Sequence, residues 1–276
     1  MARIEWDNVG ERFYETGVDR GVLHIYDKAT REYNDSHAWN GLIGITNSPS
    51  GAEPTPMYAD NIKYLNLLST EEFGASIEAY TYPDEFARCD GSYVSNGVSV
   101  GQQTRDTFGL SYRTRVGNDV DADAHAYKIH LIWGALAAPT EQAYSTVNDS
   151  PEAITFNWSL TTTAIPFPND SEYSDLKPMA YMSIDSRKAS REDLRAFEAI
   201  LYGSDGEEAR LPLPHEVLEH FAVEGPGGSE DEGVGAQSTQ TASARGSWVE
   251  PVDQQLTIPG IDEEGDSEEE ETTNDK

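Results

Sequence analysis

Apolar and polar residues alternate with a period of two in four stretches of the chain. Phe73, Ala75, Ile77 and Ala79 alternate with Gly74, Ser76, Glu78 and Tyr80. Phe108, Leu110 and Tyr112 alternate with Gly109, Ser111 and Arg113. Tyr127, Ile129, Leu131 and Trp133 alternate with Lys128, His130, Ile132 and Gly134, and Ile154, Phe156, Trp158 and Leu160 with Thr155, Asn157, Ser159 and Thr161. Successive side chains of an extended strand point to opposite faces, so each stretch predicts a half-buried β-strand. Shorter strands are predicted over Val22–Tyr26, His37–Ile45, Ile62–Leu68 and Ala180–Asp185. The runs are separated by NSPSGAEPTP, CDGSYVSNG, GNDVDAD and PFPNDSEYSD, rich in the residues whose backbones and side-chain oxygens favour turns.

One helix stands out. Ser190 can cap it, with Asp193 three residues on. Leu194, Phe197, Ile200 and Leu201 then recur at helical spacing, and Gly203 follows as a stop. Shorter helical turns are predicted at Pro83–Arg88 and Pro214–Phe221. The fold class is therefore mainly β, a sandwich or small barrel with one flanking helix and long loops.

Composition divides the chain near Val223. Residues 223–276 hold fifteen acidic against two basic residues, leaving thirty-five against seventeen in 1–222. With few apolar groups to offset the entropy of ordering, the acidic extension is expected to be mostly disordered. One island, Trp248 to Ile261, could supply a docking strand, QQLTI. The net charge of −31 argues against wrapping nucleic acid, which takes Lys and Arg to neutralise phosphates. No apolar run approaches the roughly 18 residues of a membrane span, and the mixed, polar start does not read as a secretory signal. A single cysteine, Cys89, excludes a disulfide framework within one chain.

Catalytic and metal motifs fail on context. Gly97-Val98-Ser99-Val100-Gly101 fits G-x-S-x-G, which needs a strand before it and a helix after it; here a second strand follows. Asp185 and His215 would be the triad partners of Ser99. HEVLEH at 215–220 spaces its histidines by five, about 140° off one another around a helix, so they do not converge on a metal. Asp119, Asp121 and Asp123 open like a calcium loop, but Ala124 and His130 stand at the required Gly and Glu positions. No catalytic residue, cofactor or metal is expected.

Several segments carry a family resemblance together. They are ERFYETGVDRGVL (11–23), WNGL (39–42), SPSGAEPTP (48–56), YADNIKYLNL (58–67), IEAYTYPDEF (77–86), CDG (89–91) and GQQTR (101–105). FGLSYRT (108–114), GND (117–119), YKIHLIWGA (127–135), NDSPEAITF (148–156), LYG (201–203) and RLPLP (210–214) follow. In this order and spacing, over about residues 1–222, they resemble the major tail protein, or tail tube protein, of long-tailed, siphovirus-like phages. The resemblance implies a β-sandwich with a flanking helix. It also implies six-membered rings with an inner β-barrel, stacked into a tube that conducts viral DNA during ejection. The implied partners are further copies of the chain, a tape-measure protein, a tail terminator, and distal tail or baseplate proteins. The implied location is the virion tail, assembled in the host cytoplasm, with no membrane contact.

Within that frame the lumen lining is assigned to Ser76, Glu78, Tyr80, Thr155, Asn157, Ser159 and Thr161; alternation defines two faces and does not say which is covered. The loop 47–59, with Ser50, Gly51, Glu53, Pro54, Pro56 and Tyr58, is the candidate ring-to-ring contact. The N-terminal arm 1–21, with Trp6, Phe13 and Tyr14, is a second candidate contact. Two competing functions remain: a decoration or host-attachment β-sandwich and, remotely, a serine hydrolase using Ser99.

Overall fold

The computed structural model describes residues 3–146 and 153–223. The acidic extension beyond Val223, with its QQLTI island, lies outside the described residues. The main sheet takes in β1 (Tyr14–Asp27), β2 (Glu32–Trp39), β3 (Leu42–Asn47), β6 (Gly74–Ala79), β9 (Phe108–Asn118), β10 (Ala122–Ala138), β11 (Phe156–Thr162) and β12 (Tyr181–Asp185). Two smaller antiparallel pairs are β4 (Pro54–Ala59) with β5 (Ile62–Leu68), and β7 (Tyr93–Ser95) with β8 (Val98–Val100). The helices are α1 (Ala87–Asp90), α2 (Arg191–Tyr202) and α3 (Pro214–His220). Fold class is thus mainly β, as the alternation predicts.

Strand order in the main sheet is β2-β1-β9-β10-β11-β6-β3, with β12 also on β10. The two ends of that path, β2 and β3, are successive in the chain, joined by Asn40 and Gly41. A two-residue link cannot span a flat seven-strand sheet, whose neighbours are about 4.8 Å apart. The sheet therefore curls until its ends are near one another, without closing into a barrel. The predicted single strand His37–Ile45 breaks here because Gly41, at φ +76, turns the chain. Gly21 of β1 packs so close to Leu42 that a Cβ would fall 2.2 Å from the leucine Cδ1.

Inside the curl lies one core: Leu23, Ile25, Trp39, Ile77, Leu110, Ile132, Trp158 and Leu160 among others. Phe86, from a 3-10 turn over Asp84–Phe86, plugs it, with ring centroids 4.7 Å from Trp39 and 5.0 Å from Trp158. Both indoles find acceptors, Trp39 on the Thr81 carbonyl at 3.1 Å and Trp158 on Asp90 at 3.1 Å. On the convex side, Ile129, Leu131 and Trp133 of β10 meet Leu194, Phe197 and Leu201 of α2 in a second core. Ser190 caps α2 by accepting from the Asp193 amide, and Gly203 at φ +84 ends it. Ile200, predicted in the stripe, stays half-buried at its edge.

β10 serves both cores through one irregularity. Ile132 faces Leu110 and Ala135 faces Phe108, so Trp133 and Gly134 of β10 together oppose the single residue Gly109 of β9. The extra residue inverts the alternation. Before it, odd positions face α2; after it, Ala135 and Ala137 face the inner core. Gly134 adopts φ +62, and a Cβ there would lie 2.2 Å from the Thr163 carbonyl oxygen. Its amide, orphaned from the ladder, donates to the buried Tyr33 hydroxyl at 3.0 Å. The bulge is also where β10 changes partner. Residues 128–132 pair with β12 and residues 135–138 with β11.

A buried polar link ties β1 to its neighbours. His24 Nδ1 lies 2.7 Å from the Ser36 hydroxyl and Nε2 3.0 Å from the Ser111 hydroxyl. Burial pushes its pKa from 6.5 down to about 3, so the imidazole is neutral, donating through one nitrogen and accepting through the other.

Two outcomes are expected. Tyr33→Phe strands the buried Gly134 amide and should cost about 1–3 kcal/mol in urea unfolding; an unchanged midpoint would show that the hydroxyl does not secure the bulge. For His24, the unfolded chain takes up a proton below pH 6.5 that the folded chain refuses until about pH 3, so stability is lost as pH falls through that window. Between pH 7 and pH 5 the wild-type chain should lose about 2 kcal/mol more than His24→Asn; equal losses would mean that the folded state accepts the proton.

Candidate functional site

β11 and β6 pair in register, with Asn157 opposite Glu78, Ser159 opposite Ser76 and Thr161 opposite Gly74. Their inward residues, Ala75, Ile77, Trp158 and Leu160, are buried. The opposite face therefore gathers Ser76, Glu78, Asn157, Ser159 and Thr161, with Tyr80 and Thr155 continuing it just beyond the strand ends. All seven predicted residues come together. α2 packs on β10 and β12 instead, so this face is not under the helix. The face is wider than predicted. Thr46 and Gly44 of β3 lie opposite Ser76 and Glu78, and Leu136 and Ala138 of β10 opposite Thr161 and Ser159. Sequence alternation misses Leu136 and Ala138 because the bulge shifts their parity. Glu78 is the one charged side chain among these positions; the rest are small, polar or apolar.

The segment 47–59, predicted as a loop, is instead one arm of a ribbon. Ile45 opposes Ile77, Ser50 opposes Glu72, and Pro54 opposes Leu68 in one continuous antiparallel register. β3 and β6 thus run out of the main sheet and continue as β4 and β5, closed by a turn in which Asp60 (φ 50) and Asn61 (φ 64) are both left-handed. Reciprocal Ser50–Glu72 amide–carbonyl bonds of 2.8 Å hold the neck. Gly51, at φ +87, sits so near the Thr70 carbonyl that a Cβ would be 2.1 Å from its oxygen. Every residue of β4 and β5 is exposed, including Tyr58 and Tyr64 at 71% each, Leu68 at 71% and Ile62 at 64%. Met57 faces Leu65 across the pair. Prolines at 54 and 56 remove amides from β4, which discourages pairing of a further strand there. Ser50, Gly51 and Glu53 belong to the neck; Pro54, Pro56 and Tyr58 belong to β4. Pro54 and Pro56 suggest a loop from the sequence, yet the two-strand ribbon tolerates them because each strand has a free edge.

A second hairpin is also exposed. Asn96 (φ 51) and Gly97 (φ 79) form the turn between β7 and β8, and Tyr93, Val94, Val98 and Val100 point outward. Asn96-Gly97 between short apolar runs is the local sequence signal of this hairpin, overlapped by the G-x-S-x-G match. Ser99 lies on β8 opposite Val94. It therefore sits in a hairpin and not on a strand–turn–helix elbow. Asp185 is engaged with Arg187 at 2.6 Å, and His215 lies in the first turn of α3.

The predicted N-terminal arm is shorter than 1–21, because β1 already begins at Tyr14, opposite Gly117. Gly10 donates to Asp119 at 2.9 Å and accepts from Asn118 at 3.2 Å. Trp6 is 77% exposed, while the Phe13 ring lies under the Arg187 guanidinium at 4.6 Å. The three aspartates of the calcium-like loop diverge. Asp119 takes Gly10, Asp121 takes His125 at 3.1 Å, and Asp123 takes Arg115 at 3.1 Å. His220 hydrogen-bonds the Asp193 carbonyl at 2.8 Å, tying α3 to α2.

No protein-family model matches the chain, and no curated protein matches its sequence. Among solved structures it is similar to a chain of the anti-feeding prophage baseplate, determined by cryo-electron microscopy and 6-fold symmetrised. The two share 8% identity over 66% of this chain and 97% of that one, at a TM-score of 0.31. A likeness of that size carries no argument about fold or function.

Because every residue of β4 and β5 is exposed, replacing Met57, Leu65 and Leu67 together with serine should leave the unfolding free energy of the isolated chain within about 0.5 kcal/mol of wild type. A larger loss in urea titration would show that the ribbon packs on the body.

Proposed function

We propose that this chain is a structural subunit of a phage-type tail, a tube protein whose rings stack around a DNA conduit. The observation that carries the reading is the ribbon. One continuous strand pair supplies, at its root, part of a polar sheet face and, at its tip, a projecting apolar arm. A subunit of a stacked tube needs both, a lining that lets a polyanion slide and an arm that reaches the next ring. The resemblance of the body segments to tail tube proteins supports the same reading.

The polar face suits a lining on physical grounds. Lys and Arg would bind phosphates and release counterions, which produces strong attachment where sliding is required. A face of Ser, Thr and Asn with Glu78 repels a duplex weakly and evenly. Among the described residues the curled sheet leaves β3, β12 and the part of β2 beyond its Tyr33–Leu211 bridge without a further strand, edges that neighbouring copies could pair or cover during ring closure. Head-to-tail stacking grows an open filament, so a terminator and a length-setting protein are further partners implied by the resemblance. The role is structural, in the virion tail, with no cofactor.

Negative-stain electron microscopy of the concentrated full-length chain should show six-fold rings and short tubes with a hole wide enough for a duplex. Met57→Asp with Leu65→Asp and Leu67→Asp should give folded subunits that no longer stack. Normal tubes from that variant would remove the ribbon from the ring contact. Wild-type particles without a through-hole would favour a decoration or attachment module.

A further inference from the structure

Five of the thirteen arginines of this acidic chain wall a single groove of about 840 Å³. Arg113 and Arg115 come from the convex face of β9, Arg187 from the loop after β12, and Arg191 and Arg195 from the first turns of α2. Three of them are already committed. Arg113 holds Asp19 with two bonds of 2.7 and 2.9 Å. Arg115 is shared between Asp19 at 3.2 Å and Asp123 at 3.1 Å, and Arg187 grips both oxygens of Asp185. These pairs neutralise one another and make a stiff wall.

Arg191 and Arg195 differ. Both are exposed, and among the described residues neither forms an ion pair within 4.0 Å. They stand four residues apart on one helical face, an arrangement in which like charges repel. Arg191 is also the first residue of α2, where the helix dipole disfavours a cation. Two unfavourable placements in a chain short of basic residues are accounted for if a counter-charge arrives from outside.

We propose that this groove is a docking site for a short acidic peptide segment of a protein partner, with two carboxylates received by Arg191 and Arg195. The guanidinium fork matches a carboxylate bidentately. The charge balance favours a peptide over nucleic acid. Once Asp19, Asp123 and Asp185 are subtracted, the groove holds an excess of two charges. Nucleic-acid affinity grows with the number of phosphates neutralised, and two is few against a chain of net charge −31. The groove is also bounded by β9, the loop after β12 and α2, instead of forming a track along the surface. This site is on the α2 side of the molecule and does not depend on the tube reading.

The test is fluorescence polarisation of fluorescein-labelled hexaglutamate with the full-length chain at about 50 mM salt, where screening is modest. Saturable binding is expected, weakened about tenfold or more by Arg191→Ala with Arg195→Ala and unchanged by Lys63→Glu on the distant ribbon. Because both arginines are exposed and repel one another, the circular dichroism of the double variant should match wild type and its thermal midpoint should be equal or slightly higher. Absence of saturable binding, or binding indifferent to the double variant, would overturn the proposal. So would a labelled thymidine hexanucleotide that binds as tightly as hexaglutamate and is lost with the same two arginines, which would assign the groove to a phosphate backbone.

Discussion

One extra residue in β10 governs the arrangement of everything around it. A strand of seventeen residues with unbroken alternation would present a single apolar face from end to end. Here Gly134 inserts a bulge, and the apolar face changes side partway along. The first half of the strand turns Ile129, Leu131 and Trp133 to α2; the second half turns Ala135 and Ala137 into the curl of the sheet. The bulge is held by Tyr33 on its amide and by the Thr163 amide, which donates to its carbonyl at 2.9 Å. Glycine is required because a side chain at that φ would strike the Thr163 carbonyl.

The change of partner at the bulge follows from the same event. β12 occupies the edge of β10 before it and β11 the edge after it, so α2 covers only the first pairing. β11 then brings β6 and β3 alongside with their outer face uncovered. The open polar face and the helix-covered core are two consequences of one inserted residue. The ribbon extends the arrangement outward, because β3 and β6 do not stop at the sheet margin. Their register runs on through the neck at Ser50 and Glu72 to Leu68 and Pro54.

Charge is distributed with similar economy. The acidic excess is large enough that copies of the chain repel one another at long range, although that field falls off within about 8–10 Å at physiological salt. An acidic partner of any kind must then be met through apolar surface or through local islands of opposite sign. The exposed ribbon is an island of the first kind, and the arginine groove beside α2 is one of the second.

The linear order of residues by itself determined the β character, the positions of most strands, the capped helix at Ser190, and the residues of β6 and β11 that share the polar face. Those features are local. Alternation, capping and turn chemistry act over two to four residues and can be read without knowing what lies opposite. Tertiary structure decided the rest. Which face α2 covers depends on where the bulge falls, and that bulge is defined by pairing with Leu110 and Phe108, far back along the chain. Ser50 to Ala59 resembles a proline-rich loop until Ile62–Leu68 is laid against it. Arg113 and Arg115 acquire meaning only when folding sets them beside Arg191 and Arg195, since nothing in the intervening chain signals that the four will share one groove.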